Sequence, residues 1–337
     1  MNLLKKLLLG VAALLVLCVG IGFFLPRTAH VERSAVINAR PATVFTVLNG
    51  FRQFAQWSPW AEYDPDMKLV FEGPRAGVGA RYSWSGNEQV GTGSQEILES
   101  TPHRFIKLKL VFGEFPGDFV SAYTLEPEGE GTRLTWAFDA DYGNSVIGRY
   151  FGLLSDSMIG PDYEKGLARL KSFAETLPAA DFSELSIETV NAKPMPVVSI
   201  SARSADETYA VGVALGVAYS RLSGFINAND LKQTAPPLAI YHGVKNGVLT
   251  FDAAIPVDRT DVAPGGTIRT GQTQAGPAVR ATFRGPYSGL PAANKQVQAY
   301  LAAAGFEQDG AMWEQYVGDP SQTPEAELVT HIYYPVK

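Results

Sequence analysis

An internal repeat limits what this chain can fold into more than any other feature of its sequence. The stretch from Ile187, IETVNAKPMPVVSISARS, aligns with that from Ile268, IRTGQTQAGPAVRATFRG, at an offset of 81 residues. Ile187 meets Ile268, Thr189 meets Thr270, Pro196 meets Pro277, Val198 meets Val279 and Arg203 meets Arg284. A helical stretch follows each copy: Tyr209, Val213, Gly216, Val217 and Ser220 in the first, Ala293, Val297, Tyr300, Leu301 and Ala304 in the second. Two strand-like runs come next in each, LAIYHGV with GVLTFDAAIPV, then MWEQYVG with ELVTHIYYPV. Two β-α-β-β halves result, and the junction of duplicated halves is a natural groove for a ligand.

The repeat leaves room for a second core, because 337 residues exceed one typical domain. From His30 the pattern is strand-like, HVERSAVINA, and Pro41 opens a short helix, PATVFTVLNG. In FVSAYTLEPEGEGTRLTWAFDAD, Phe119, Ser121, Tyr123 and Leu125 share one strand face. Leu134, Trp136 and Phe138 share a face of the next strand, and Glu-Gly-Glu-Gly makes the turn of a hairpin. After Gly143 the period is helical, with Tyr163, Leu167, Leu170, Ala174 and Leu177 four or three residues apart. One helix therefore closes an antiparallel sheet. The fold class is α+β, and the stretch LPAADFSEL reads as a linker.

The N-terminal run is MNLLKKLLLGVAALLVLCVGIGFFLPR. Its uncharged part, Leu7 to Leu25, would span about 28 Å as a helix at ~1.5 Å per residue, close to the hydrocarbon thickness of a bilayer. It reads as an anchor. A cleaved signal, the other reading, would have a shorter apolar core and a small-residue exit site. Lys5 and Lys6 favour a cytoplasmic N-terminus, which puts the rest on the outer side of the inner membrane in a single-pass arrangement. The expected divisions are 1–27 anchor or signal, 28–177 first domain, 178–185 linker and 186–337 second domain.

The words WSPWAEYDPDMKLVFEGPRAGVGARYSWSGNEQVGTGSQEILES and LEPEGEGTRLTWAFDAD resemble the SRPBCC superfamily, the helix-grip fold of polyketide cyclases and lipid-transfer domains. That resemblance implies a cavity for apolar or amphipathic ligands between the sheet and the long helix. The words FRGPYSGL, MWEQYVGDP and HIYYPV make the second domain resemble the GyrI-like, or AraC effector-binding, family. This implies a small-molecule cleft lined by aromatics and one acidic residue. Such domains act as drug sensors, and some hydrolyse strained-ring compounds.

Charge and motif content narrow the chemistry. The formal net charge is -6, without a Lys/Arg block, which argues against a nucleic-acid partner. The single cysteine, Cys18, lies in the apolar run, so neither domain has a disulfide, a thiolate nucleophile or a cysteine metal site. No G-x-S-x-G, H-E-x-x-H, P-loop or complete dinucleotide fingerprint occurs, and the four histidines are isolated. No metal or cofactor is expected.

Trp57 and Trp60 flank Ser-Pro close to Glu62, Asp64 and Asp66. The carboxylates lie in a polar stretch and read as solvated, while the tryptophans read as pocket wall or packing. In the second domain, period-two alternation puts Met312, Glu314 and Tyr316 on one strand face and Trp313, Gln315 and Val317 on the other. If the first face lines the groove, Glu314 can pair with a cationic ligand that also meets the rings of Tyr287 and Tyr241. Partly desolvated, it can act as a general base on water instead; solvated on an open face, it would do neither. The candidate ligand-contacting residues are Glu314, Tyr316, Tyr287, Tyr241, Trp313, Trp57 and Trp60. Many GyrI-like relatives carry an acidic residue after the threonine of the last strand, whereas here Thr330 is followed by His331. The expected function is an anchored two-module protein that binds lipid or hydrophobic or cationic aromatic small molecules as a sensor or carrier. A hydrolase working through Glu314, or a cyclase-like activity in the first domain, is the alternative.

Overall fold

The computed structural model describes every residue except Met1, Asn2, Glu114 and Pro116, so the first two residues of the apolar segment lie outside the described residues. Two compact units emerge, one holding Met1–Ala179 and the other Ala180–Ala302 with Phe306–Lys337.

The first unit contains α1 (Leu3–Phe24), β1 (Thr28–Ile37), α2 (Pro41–Leu48) and two single turns, α3 (Phe54–Trp57) and α4 (Trp60–Tyr63). Six strands follow: β2 (Lys68–Glu72), β3 (Arg81–Ser85), β4 (Thr92–Thr101), β5 (Phe105–Phe112), β6 (Asp118–Glu128) and β7 (Gly131–Asp141). The long helix α5 (Val146–Ala174) closes the unit. The strands form one antiparallel sheet in the order β1-β7-β6-β5-β4-β3-β2. Gly129, at φ 59°, makes the β6–β7 turn in a conformation that a side chain would strain. The alternation read from the sequence is the burial observed: Phe119, Ser121, Tyr123 and Leu125 are buried on β6, and Leu134, Trp136 and Phe138 on β7. Tyr163, Leu167, Leu170 and Ala174 form the buried stripe of α5.

Aromatic rings fill the space between this sheet and α5. Trp136 stacks on Tyr163 with centroids 3.8 Å apart, and Trp57 meets Trp136 edge-on at 5.7 Å. The Trp136 Nε1–H donates to the Ser121 hydroxyl at 2.8 Å, and that hydroxyl donates to the Ala137 carbonyl at 3.0 Å. Gly166 lets the helix sit on the ring, since a Cβ there would lie 2.7 Å from the indole of Trp136.

The second unit holds β8 (Ser186–Ala192), β9 (Pro196–Ala205), α6 (Thr208–Ala228), β10 (Leu238–Lys245), β11 (Val248–Pro256), β12 (Ile268–Gln272) and β13 (Gly276–Arg284). It ends with α7 (Leu290–Ala304), β14 (Trp313–Tyr316) and β15 (Val329–Pro335). The antiparallel sheet runs β12-β9-β11-β10-β14-β15-β13-β8. The leading strand of each repeat therefore pairs with the other half: β12 lies against β9 and β8 against β13. β8 and β9 sit near opposite ends of that order, yet only residues 193–195 join them. Such a link reaches ~14 Å, whereas eight strands laid flat span ~34 Å. The sheet must curl until its ends meet. Beside this link Thr273 N–H donates to the Met195 carbonyl at 3.0 Å and Met195 N–H donates to the Thr273 hydroxyl at 2.9 Å, which extends the β9–β12 pairing one step past Gln272–Pro196. One face carries two clusters built with α6 and α7; the other buries Val197, Leu238, Ala254 and Trp313. Phe182, within the stretch read as a linker, is buried against Tyr300 at 5.6 Å between centroids.

The packed interior of the first unit predicts the cost of opening it. Trp136→Ala should destabilise that unit by ~3–5 kcal/mol through the cavity left behind. Ser121→Ala should cost ~1–3 kcal/mol by leaving the buried indole N–H unpaired. Urea denaturation followed by tryptophan fluorescence and circular dichroism reads both; a loss under about 1 kcal/mol for Trp136→Ala would contradict a ring-filled core.

Candidate functional site

The centre of the second unit is the antiparallel pair β10–β14, in which Ala239 faces Glu314. Tyr241 lies two residues beyond Ala239 and Tyr316 two residues beyond Glu314, so alternation turns all three polar side chains to the helix-bearing face. There Glu314 is 3% exposed. The Tyr241 and Tyr316 hydroxyls each donate to Glu314 Oε2 at 2.9 Å and lie 3.0 Å from each other. Asn294 Nδ2, from α7, donates to Oε1 at 2.7 Å. Behind it, the Tyr334 hydroxyl donates to Asn294 Oδ1 at 3.1 Å and accepts from Gln298 Nε2 at 3.3 Å. The carboxylate is thus held by three neutral donors, and among the described residues no ion pair reaches it.

Burial sets the electrostatics. Removal from water raises the Glu314 pKa above its usual value, while the hydrogen bonds from Asn294, Tyr241 and Tyr316 pull the other way and only partly offset it. Burial and the nearby carboxylate push the Tyr241 hydroxyl far up, and burial lifts Tyr334 to about 12. Both stay protonated donors at neutral pH.

Tyr287, in the turn that leads into α7, is half-buried and meets Tyr316 edge-on at 5.3 Å, so it joins the group. Trp313 does not. Its side chain points to the opposite side of the sheet and stacks on Tyr333 at 4.8 Å with the planes 11° apart, because neighbouring residues on a strand alternate faces. Trp57 is 2% exposed inside the first unit, and Trp60 is half-buried, stacked on Phe54 and edge-on to Trp136. Glu62 pairs with Lys165 and Arg169 of α5, and the Asp64 carboxylate accepts from the backbone of Asp66 and Asn87. They are surface carboxylates.

Sequence reasoning missed Asn294, Tyr334, Thr330 and Tyr219. Asn294 comes four residues after Leu290 on α7, and only the placement of α7 over β14 brings its amide to the carboxylate. Thr330 shares the face of Tyr316, its register partner, and is fully buried. Tyr219 reaches the same cluster from α6. The hydroxyls of both are buried without a hydrogen-bond partner among the described residues. The signal for Thr330 was available, since it alternates with Ile332 and Tyr334 on β15.

Comparison with known proteins assigns families to two stretches of the chain. Residues 28–175 match the family model described as polyketide cyclase / dehydrase and lipid transport, and residues 184–337 match the GyrI-like small molecule binding domain. The chain therefore carries two small-molecule-binding domains, of the two families its sequence resembles. Among solved structures, a protein from Chromobacterium violaceum is 20% identical, covering 45% of this chain and 99% of its own, with a TM-score of 0.32. The C-terminal domain of EcmrR is 19% identical over 46% of this chain and 97% of its own, with a TM-score of 0.39. The di-domain aromatase/cyclase StfQ of the steffimycin pathway is 16% identical over 44% of this chain and 51% of its own, with a TM-score of 0.36. No curated protein matches the chain.

The buried carboxyl has a consequence for stability. A carboxyl whose pKa is higher in the folded than in the unfolded state favours folding while protonated, and that contribution is lost as pH rises through the folded value. From the ordinary glutamate value of 4.5 upward, the wild-type second unit should lose stability relative to Glu314→Gln, and the difference should level off once the buried carboxyl is ionised. Urea titrations of both proteins between pH 4 and 8 test this; parallel curves would contradict it.

Proposed function

We propose that this chain is a membrane-anchored protein that uses its two ligand-binding modules as a sensor or carrier, and that the Glu314 cluster takes a hydrophobic or cationic aromatic small molecule. The observation that carries the reading is one buried carboxylate with neutral donors only, set among Tyr241, Tyr316, Tyr287 and Tyr219. A cation arriving there gains a charge partner and aromatic faces in a site of low polarity. The hydroxyls of Tyr219 and Thr330 offer further hydrogen bonds to a polar substituent.

The anchor in this reading is α1. Its stretch Leu4–Phe24 has a mean hydropathy of 2.8 and is long enough to cross a bilayer. α6, Thr208–Ala228, also meets that length and composition, but it packs on the sheet through Leu215, Ala218, Leu222 and Ile226. With Lys5 and Lys6 inside, both modules stand on the outer side of the inner membrane.

A second reading has one specific observation in its favour. A carboxyl with a raised pKa, beside two tyrosine donors at 2.9 Å, suits proton transfer in the hydrolysis of a strained-ring or ester compound. The test separates the two. Under the binding reading, affinity for a cationic aromatic dye strengthens as pH rises and Glu314 ionises, and Glu314→Gln weakens it by ~1.5–3 kcal/mol while a neutral analogue is little affected. Under the hydrolase reading, the same substitution abolishes turnover with binding retained. Equal dye affinities in both proteins, without turnover in either, would remove Glu314 from both.

For the membrane reading, protease treatment of spheroplasts should digest both modules from outside while the N-terminal segment stays in the membrane fraction. Protected modules, or a mature N-terminus beyond residue 25, would contradict it.

A further inference from the structure

The stripe of α5 that faces away from the sheet near its N-terminus is apolar rather than polar. Ile147 is 70% exposed, Phe151 39%, Leu154 53% and Met158 55%, at the four-, three- and four-residue spacing that lines one side of a helix. Phe115, itself 38% exposed, extends the stripe by meeting Phe151 edge-on at 5.3 Å. Beyond Pro161 the character changes, with Asp162, Glu164, Lys165, Arg169 and Lys171 following. A contiguous exposed apolar stripe of this kind marks a contact surface.

Its position says what covers it. α5 starts against the end of α1: Gly22 leaves room for Val146 and Tyr150, which a side chain there would strike. Arg149 Nη1 donates to the Phe23 carbonyl at 2.6 Å and to the Leu25 carbonyl at 3.3 Å, and the Tyr150 hydroxyl donates to the Cys18 carbonyl at 2.8 Å. As numbers rise from 146 to 150 on α5, they fall from 22 to 18 on α1, so the two helices run antiparallel where they touch. Cys18 lies ~9 Å along the helix axis from Phe24 at ~1.5 Å per residue. The first turns of α5 thus head back along α1, toward whatever surrounds it.

We infer that the stripe Ile147–Phe151–Leu154–Met158, with Phe115, lies in the outer interface of the lipid bilayer and holds the first module against the membrane surface. The inference rests on the reading of α1 as a membrane anchor. Given that anchor, an apolar helix face continuous with it sits at the depth where amphipathic interfacial helices place their apolar side.

The test uses the full chain with Cys18→Ser, carrying one of Val11→Cys, Phe151→Cys, Met158→Cys or Ser172→Cys. Each variant is labelled with bimane and reconstituted into phosphatidylethanolamine–phosphatidylglycerol nanodiscs with or without a nitroxide lipid. Emission should be lost to the nitroxide lipid at positions 11, 151 and 158, and kept at exposed Ser172, where aqueous iodide quenches instead. If position 11 is quenched by lipid while 151 and 158 respond only to iodide, α1 is an anchor but the stripe stays in water, and the inference alone fails. Iodide protection of 151 and 158 that grows with protein concentration, without lipid quenching, means that a second copy covers the stripe, and this too overturns it. Absence of lipid quenching at position 11 as well removes the anchor and the inference together.

Discussion

The links at residues 193–195 and 273–275 are too short to cross a flat eight-stranded sheet, and the second unit is shaped by that constraint. The curled sheet has an inside and an outside, and strand alternation sends successive residues to different chemistry. Trp313 goes inside to stack on Tyr333, while Glu314 goes outside beneath the helices. Without closure, the Trp313 face would be an open apolar surface, and the Glu314 face would have only one layer of support. With it, both sides of the central strands are buried, and a carboxylate on them must find its hydrogen bonds within the protein.

The donors that Glu314 finds are neutral, and this separates the site from an ordinary buried ion pair. A cation in the protein would satisfy the charge and hold the pKa down, leaving little for a ligand to gain. Two phenols and an amide satisfy the geometry but not the charge. The carboxyl therefore keeps a raised pKa. Among the described residues of the first unit no carboxyl is buried in this way. Its interior polar contacts are local, as with Ser121 under Trp136, and its volume is taken up by rings.

Much of this was legible in the sequence because it follows from period. The repeat of Ile187 and Ile268, the β6–β7 hairpin and the buried stripe Tyr163–Leu167–Leu170–Ala174 all rest on spacing alone. Alternation likewise separated Glu314 and Tyr316 from Trp313, although Trp313 was still expected near the ligand for its ring. What was not legible depends on neighbours distant in sequence. Asn294 meets Glu314 only through the packing of α7, and the exchange of β8 and β12 between halves has no local signature. Period also cannot say what covers a stripe: Ile147, Phe151, Leu154 and Met158 follow the same spacing as the buried half of α5, yet they stand exposed.

The β10–β14 pair is nearly symmetrical about Ala239–Glu314, with Tyr241 and Tyr316 as counterparts, but an alanine stands where the other half has the acid. Two equal halves would present the same polar groups on either side of that axis. One methyl group opposite one carboxyl ends that equivalence. The charge therefore stands on one side of the axis only, and the centre of this face has a direction that its two tyrosines alone would not give it.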